Sequence, residues 1–268
     1  TMGLTIHFSL RLPEAWSPDQ VTAAIAGLRR SLKPLPFQAQ TSIVTLDARR
    51  IRLAQAAASR SPWGWACIQY CRHVPVGGHQ PARSWCVVPP QMLVGFTCQP
   101  GPGCEPLNLF VGRFQTRISH DGVIHPLDRP LRWTGAAFCK TQYASRPEDG
   151  GITNFLRCHL LVIAALDVAR DQGFQVEVSD EGGYWTNRNI PALVQEIGDW
   201  NAFICGITRD LKAALGDRMT AALCQADLDR PVDAEVVQAL GDDVLDLIRR
   251  TKGTTTEPCA AGQPQTGA

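Results

Sequence analysis

Two segments in the second half of the chain carry side chains that can transfer protons or bind ligands. FCKTQYA contains Lys140, Gln142 and Tyr143, and VEVSDEGGYW places Asp180 and Glu181 at the end of an apolar strand. A carboxylate can act as a general base or bind a cation, whereas a lysine or a tyrosine can donate a proton or stabilise negative charge. The two segments therefore indicate a candidate site for hydrolytic or metal-assisted chemistry.

His159 is a third candidate, because its neighbours on a helix are apolar. It lies in NFLRCHLLVIAAL, part of a helix predicted from about Thr153 to Arg170. The apolar residues continue almost all the way round this helix, so it should be buried. A buried histidine needs a hydrogen-bond partner. Two interpretations stay open: a satisfied core histidine, or a ligand or general base that the helix holds rigidly.

The strand FQVEVSD predicts the direction of Asp180. Its apolar residues alternate with polar ones, and Asp180 has the parity of the apolar set, so its side chain should lie on the buried side. An unpaired carboxylate there is costly, and His159, Lys140 and Tyr143 are the expected partners. Glu181 should point the opposite way.

Gly182 and Gly183 form a turn after the two acids. Glycine permits positive φ and a close approach of the backbone, and the aromatic residues that follow are suited to wall a pocket. The alternative is a hairpin tip with solvated acids and with the aromatic side chains folded onto the core. The functional interpretation divides the site into two sets, namely catalytic candidates Asp180, His159, Lys140 and Tyr143, and substrate-binding candidates Glu181, Tyr184, Trp185 and Gln142.

Five potential zinc ligands occur together in CIQYCRHVPVGGHQPARSWC: Cys67, Cys71, His73, His79 and Cys86. Thiolate and imidazole are suitable ligands for zinc. If the start of this segment is a strand, however, the first two thiols lie ~13 Å apart on one face and cannot share an ion. Packed thiols and a surface histidine then explain the pattern. The sequence identifies neither a metal nor a cofactor.

Composition and motifs argue against several common functional classes. The chain has 268 residues, of which 44% are hydrophobic, and a formal charge of +1 with no broad basic segment. Nucleic-acid binding is therefore disfavoured. The sequence contains no P-loop, no G-x-G-x-x-G opening a helix, no H-E-x-x-H and no G-x-S-x-G, which removes common nucleotide-binding, zinc-protease and serine-hydrolase signatures. No partner can be named.

Neither a targeting signal nor a membrane span is predicted. TMGLTIHFSLRLPE lacks the basic and the long apolar regions of a secretory signal, and the apolar run HLLVIAAL is too short to cross a bilayer. Without a signal for export to an oxidising compartment, the ten cysteines are expected to be reduced thiols. These features predict a soluble cytoplasmic protein.

Periodicity predicts the elements that position the candidate residues. Clean alternation from Leu4 to Leu12 indicates a half-buried strand with His7 on its polar face. SPDQ, at positions 17–20, resembles a capping box that starts a helix. Further strands are predicted at 43–46, 65–70, 92–97 and 107–114. Asn189 caps a second amphipathic helix, predicted to run to Leu215.

This order predicts an α+β fold with a mainly antiparallel or mixed sheet, helices packed on one face, and a helical C-terminal extension. We expect a single domain over residues 1–250, with the helical extension at 217–250. The segment 251–268 is small, polar and aperiodic, and is predicted to be disordered.

Four segments together resemble a set of uncharacterised bacterial proteins: GLTIHFSL, FCKTQYAS, NFLRCHLL and VEVSDEGGYW. The resemblance spans roughly Met2 to Leu215 and leaves the tail out. It implies a bacterial protein. No activity is known for the set, so the resemblance carries over no catalytic role.

Three functional hypotheses stay open: an enzyme, a protein-interaction module, and a small-molecule-binding protein without catalysis. An enzyme needs Asp180 and His159, with Lys140 or Tyr143, to converge on a cavity that is open to solvent. An interaction module instead needs a flat apolar patch around Trp185. The geometry of these side chains separates the hypotheses.

Overall fold

The structure is a computed structural model that describes residues 4–57, 63–76, 84–115, 117–120, 123–126, 133–199, 201–202 and 234–253. Its strands are β1 (Thr5–Arg11), β2 (Ala39–Gln40), β3 (Val44–Asp47), β4 (Arg72–Val76), β5 (Ser84–Val88), β6 (Met92–Gln99), β7 (Leu107–Arg113), β8 (Arg117–His120), β9 (Val123–Pro126), β10 (Thr134–Lys140) and β11 (Gln175–Asp180). Its helices are α1 (Pro18–Leu32), α2 (Ala48–Ala56), α3 (Gly64–Gln69), α4 (Gly151–Asp171), α5 (Tyr184–Asn187), α6 (190–199 and 201–202) and α7 (Ala234–Gly253).

The main sheet contains seven strands in the described part of the chain. Their order is β11-β1-β10-β7-β6-β2, and β3 pairs with the same edge of β6 as β2 does. All of these pairs are antiparallel. Antiparallel pairing with helices packed against the sheet confirms the predicted α+β class.

β1 lies inside the sheet, between β10 and β11. Its register pairs Ile6 with Cys139 and with Asp180, and it pairs His7 with Phe138 and with Ser179. Side chains that face each other across a sheet share a face. Ile6 is fully buried, whereas 40% of the His7 side chain is exposed. The prediction that His7 lies on the polar face of the first strand is confirmed.

α1 and α4 form the helical layer on the buried face. The predicted capping box starts α1, because the hydroxyl of Ser17 accepts the Gln20 N–H while the Gln20 side chain accepts the Ser17 N–H. α4 is buried on every side of its circumference, as the continuous apolar pattern predicted. It passes the length and hydropathy test for a membrane span, but most of it lies inside the protein. Burial in the core accounts for its apolar character.

The predicted strand at 65–70 is wrong. Residues 65–69 belong to α3 and Tyr70 is its C-cap, and this helix lies against the opposite face of the sheet from α4. The hydroxyl of Tyr70 donates to the carbonyl of Asn108 and accepts the N–H of Phe110. The Gln69 side chain contacts both Asn108 and the carbonyl of Phe138. α3 therefore covers this face at β7 and β10.

At β1 and β11, none of the described elements covers this same face of the sheet. Its side chains there are His7, Ser9, Glu177 and Ser179, which are partly or fully exposed. We call this region, together with Ala136 and Phe138 of β10, the open face. Among the described elements, helices thus cover both faces of the sheet at its centre but only one face at its β11 edge.

The C-terminal half follows the predicted order of elements. The side chain of Asn189 accepts the Ala192 N–H at the start of α6, which confirms the predicted cap. The continuation of that helix to Leu215 lies outside the described residues, as do 217–233 and 254–268 of the predicted extension and tail. α7 is a single 20-residue helix and extends three residues into the predicted tail.

Candidate functional site

The structure places Asp180 on the buried side and brings it together with His159, one of its three expected partners. The His159 Nε2 atom lies 3.3 Å from Asp180 Oδ2, and the two side chains are 0% and 1% exposed. Thr141 completes the group, because its hydroxyl lies 3.0 Å from His159 Nδ1. The group joins β11, α4 and the residue that follows β10.

Backbone amides supply the remaining hydrogen bonds to the carboxylate. The N–H of Gly182 donates to Asp180 Oδ1, and the N–H of Trp185 donates to Oδ2, both at 2.9 Å. Burial by itself raises the pKa of Asp180. The hydrogen bond and charge of His159, with the two amides, outweigh burial and hold the pKa below its ordinary value. Because the carboxylate is an acceptor only, His159 Nε2 carries the hydrogen between them.

The turn after Asp180 closes the site instead of opening it. Gly183 has φ 70°, the left-handed conformation that glycine adopts without steric cost. A Cβ on Gly182 would lie 2.5 Å from the Leu193 side chain and 3.2 Å from the His159 ring. The two glycines therefore let the chain seal the carboxylate beneath α6. The pair has the predicted partners but no solvent access.

Lys140 and Tyr143 lie in a separate contact. The Lys140 Nζ atom and the Arg146 guanidinium carbon each lie 4.8 Å from the centre of the Tyr143 ring, within the range of cation–π attraction. Gln142 is buried, and its Oε1 atom has no hydrogen-bond partner in the structure. Thr141, which the sequence argument omitted, is the member of this segment that contacts His159.

Tyr184 and Trp185, two further substrate-binding candidates, make ring contacts with different residues. Tyr184 is buried, and its ring packs edge-on against the His159 ring at 6.5 Å. The Trp185 ring lies 5.2 Å from the Arg170 guanidinium and 4.9 Å from that of Arg188. These cations cover the ring, so the flat apolar patch required of an interaction module is not formed by Trp185.

Glu181 points away from Asp180, as predicted, and lies at the rim of the open face. Its Oε2 atom accepts the N–H of Thr5 at 2.9 Å. Its Oε1 atom lies 3.7 Å from His7 Nε2. The carboxylate is therefore held by the backbone of β1 in contact with an accessible imidazole.

The sequence argues against a shared zinc ion on the expectation that Cys67 and Cys71 lie on one strand. This expectation is wrong, because Cys67 lies in α3 and Cys71 follows shortly after it. Cys71 contacts the carbonyl of Cys67 and the side-chain amide of Gln55. Burial raises the pKa of both thiols, which makes them poor metal ligands. His79 lies outside the described residues. Within the part of the chain that the structure describes, no group of three or more His, Cys, Asp or Glu side chains is placed to hold a metal ion.

A depression of about 440 Å³ lies on the open face. It is lined by His7, Phe8, Ser9, Ala136, Ala137, Phe138, Glu177, Val178 and Ser179. Phe138 is 37% exposed, and its ring centre lies 5.9 Å from that of His7. The depression thus presents two adjacent rings with hydroxyl and carboxylate groups beside them.

A smaller depression of about 250 Å³ adjoins the first and shares Ala136 with it. It is lined by Gln69, Tyr70, Cys71, Arg72, His73, Phe114, Thr134, Gly135 and Ala136. The Arg72 guanidinium lies over the Phe114 ring, 5.0 Å from its centre. This second depression lies between α3, β4 and the centre of the sheet.

Sequence reasoning missed most of the residues on the open face. His7 was placed on the correct face, but it was not recognised as a site residue. Phe138 could have been recognised from the sequence, because a large aromatic residue is unusual at a strand position that faces solvent. Arg72 had no such signal, since the helix before it was predicted as a strand.

No family model, curated protein or solved structure matches this chain. Its function therefore has to be argued from the chemistry of the site.

Proposed function

We propose that this protein binds a small organic molecule on the open face and does not transform it. The observation that carries the proposal is the accessible pair of rings, His7 and Phe138, at the floor of a depression of about 440 Å³. Its lining combines apolar ring surface with a few polar groups, as small-ligand sites do. The depression is shallow and widely open to solvent, so a ligand lies across the rings and keeps much of its surface exposed.

The enzyme hypothesis loses support because its central residues are inaccessible. A general base must come within hydrogen-bond distance of the proton that it abstracts. His159 and Asp180 are 0% and 1% exposed, and their hydrogen bonds are made within the protein. We propose that this pair fixes α4 to β11 and does not act on a substrate.

The residues around the depression suggest the kind of ligand. Phe138 and His7 offer ring surfaces on which a planar apolar group can stack. Ser9 and Ser179 place hydroxyl groups beside them, and hydroxyls can both donate and accept hydrogen bonds. A planar molecule with polar substituents fits this combination best.

Binding can be tested with a library of planar aromatic fragments, screened by thermal shift and measured by calorimetry. We expect Phe138→Ala to weaken the best ligand about tenfold, the effect of losing one good aromatic contact. Leu53→Ala is the control, because Leu53 is an exposed residue of α2 that lines neither depression. Equal binding by the parent and Phe138→Ala would contradict the proposal.

We also propose that the protein is soluble and works in the bacterial cytoplasm. The seven cysteines in the described part of the chain are all free thiols, although Cys104 and Cys139 lie only 3.9 Å apart. Free thiols at this density are typical of reducing compartments. Alkylation of the protein in rapidly quenched cells would test the state of the thiols.

A further inference from the structure

Arg72 is a partly buried cation for which the structure provides little compensation. Its guanidinium makes one long hydrogen bond, 3.4 Å, to the Thr134 hydroxyl, and it packs over the Phe114 ring. It forms no ion pair with a carboxylate among the residues that the structure describes. A guanidinium has five N–H donors, so most of the Arg72 donors have no partner among the described residues.

The surroundings of Arg72 favour an anion. None of the nine residues that line the smaller depression is acidic, and Gln69, His73 and Thr134 add polar groups to it. Burial, and secondly the charge of Arg11, lower the pKa of Arg72, which is the direction expected for a cation that lacks a counter-charge. Arg11 has its own carboxylate partner in Glu177, at 3.0 Å. Arg72 is therefore available to an external anion.

The two depressions are neighbours on the same face of the sheet, since the exposed residue Ala136 lines both. A single ligand can thus place a charged group beside Arg72 while its apolar part lies against Phe138. A guanidinium recognises planar carboxylate and tetrahedral phosphate groups through paired hydrogen bonds.

We propose that Arg72 binds the carboxylate or phosphate group of an aromatic anion whose ring lies on the open face. This inference rests on the proposed function for the position of the ring. Arg72 supplies the charge and directional hydrogen bonds, and His7 and Phe138 supply the apolar surface.

The experiment compares 2-naphthoate and 2-naphthyl phosphate with the neutral isostere 2-naphthamide, each titrated by ligand-observed NMR and calorimetry. We expect the parent to bind at least one of the anions about tenfold more tightly than the amide, because hydrogen bonds to charged groups contribute more than neutral ones. Comparison of the two anions shows which group the site prefers. Failure of both anions to bind better than the amide would overturn the inference.

Arg72→Gln should remove the preference for the anion and leave binding of the amide unchanged. Arg52→Gln is the matched control, because it removes the same charge from an exposed position on α2. Arg72→Lys is the second variant if Arg72→Gln does not fold. It keeps the charge and the contact with Phe114 but loses the paired geometry, so it should retain only part of the preference. An unchanged preference in both Arg72 variants would contradict the inference.

The outcomes separate this inference from the proposed function. If Phe138→Ala weakens the amide but Arg72→Gln does not weaken the anions, the open face binds ligands and Arg72 does not select them. If Arg72→Gln weakens the anions but Phe138→Ala weakens nothing, Arg72 is an anion site and the proposed role of the open face is wrong.

Discussion

Asp180 keeps its charge inside the protein because each oxygen has a donor directed at it. Oδ1 accepts the N–H of Gly182, and Oδ2 accepts the N–H of Trp185 and lies next to His159 Nε2. One of these donors belongs to the turn that follows the strand and another to α5, so the carboxylate also determines the path of the chain into α5. The residue acts as a local organiser of backbone structure.

Asp180→Asn should be destabilising although it preserves the shape of the side chain. Asparagine presents an amide NH₂ in place of one oxygen, so either the Gly182 N–H or the Trp185 N–H must face another donor. We expect a loss of about 3 kcal/mol in the free energy of unfolding, the scale of breaking a buried charge pair. Urea denaturation measures it.

Glu177→Gln is the matched control for this substitution. The Glu177 side chain is 68% exposed and pairs with Arg11 at the surface, so its loss should change stability by less than about 0.5 kcal/mol. Equal effects of the two substitutions would mean that the Asp180 network contributes little to stability.

The same carboxylate predicts a pH dependence. Its pKa is lower in the folded protein than its ordinary value, so the ionised form stabilises the fold above about pH 4, the range in which an unfolded aspartate is ionised. This contribution is lost as the pH falls through the folded-state pKa. The difference in unfolding free energy between the parent and Asp180→Asn should therefore shrink as the pH falls below about pH 4. If the difference grew on acidification, the ionised form of Asp180 would not stabilise the folded protein, contrary to this prediction.

At the scale of elements, α3 fills a gap in the main sheet. β10 and β7 share one paired position, Thr134 with Gly112. Next to this position, the Tyr70 hydroxyl replaces hydrogen bonds between the two strands. It donates to the Asn108 carbonyl and accepts the Phe110 N–H. Burial raises the pKa of Tyr70, which keeps the hydroxyl protonated. α3 is thus held by a polar contact with the edge of a strand as well as by apolar packing.

Tyr70→Phe should weaken this attachment. It leaves the buried carbonyl of Asn108 and the N–H of Phe110 without the hydroxyl, at a cost of about 1–3 kcal/mol. Hydrogen exchange should show faster exchange of the Phe110 amide than in the parent, with the amides of β1 unchanged. Protection of Phe110 at the parent level would indicate that β7 and β10 pair directly in solution.

Sequence patterns predicted the elements with a clear period, and also the strands at 43–46, 92–97 and 107–114, but failed at one short apolar run. β1, β11, α1 and α4 each show a clear period of two or of 3.6, or a continuous apolar circumference, and all four were predicted. The run WACIQY is six residues long, too short to separate a buried strand from a buried helix. Its aromatic and β-branched residues favoured a strand, whereas the contacts of Tyr70 with β7 favour a helix.

The candidate site was predictable to a similar extent. Strand parity and an apolar helix were sufficient to place Asp180 on the buried side and to name His159 as one of its three candidate partners, because both signals are local. They could not show that α6 seals the pair. The open face combines side chains from three strands that are distant in sequence, and Arg72 follows the helix that was predicted wrongly. Such a site becomes visible only when the strand order is known.

At the scale of the molecule, α7 is packed as part of the domain. It contacts α4, its Val237 and Ile248 side chains are 1% and 4% exposed, and its Gly241 lies against Ile190 of α6. A helix that merely extended from the domain would not bury these residues. The C-terminal helix therefore contributes to the stability of the whole fold.

Val237→Ala should lower the free energy of unfolding by about 1–2 kcal/mol, the usual effect of removing buried methyl groups. Val236→Ala, at the preceding position, is the control, because Val236 is 53% exposed and its truncation should be nearly neutral. Thermal denaturation of both variants separates the cases. Similar melting temperatures would show that α7 is detached in solution.

The interior position of β1 also determines when the sheet can be completed. β1 precedes both of its neighbours in the chain, and its Thr5 amide bonds to a carboxylate 176 positions away. The entropy of closing such a loop is lost before the contact compensates for it, which slows folding. During synthesis, β1 has neither of its partner strands until β10, and then β11, have emerged from the ribosome. An apolar strand is therefore open to aggregation while the residues between β1 and β11 are synthesised.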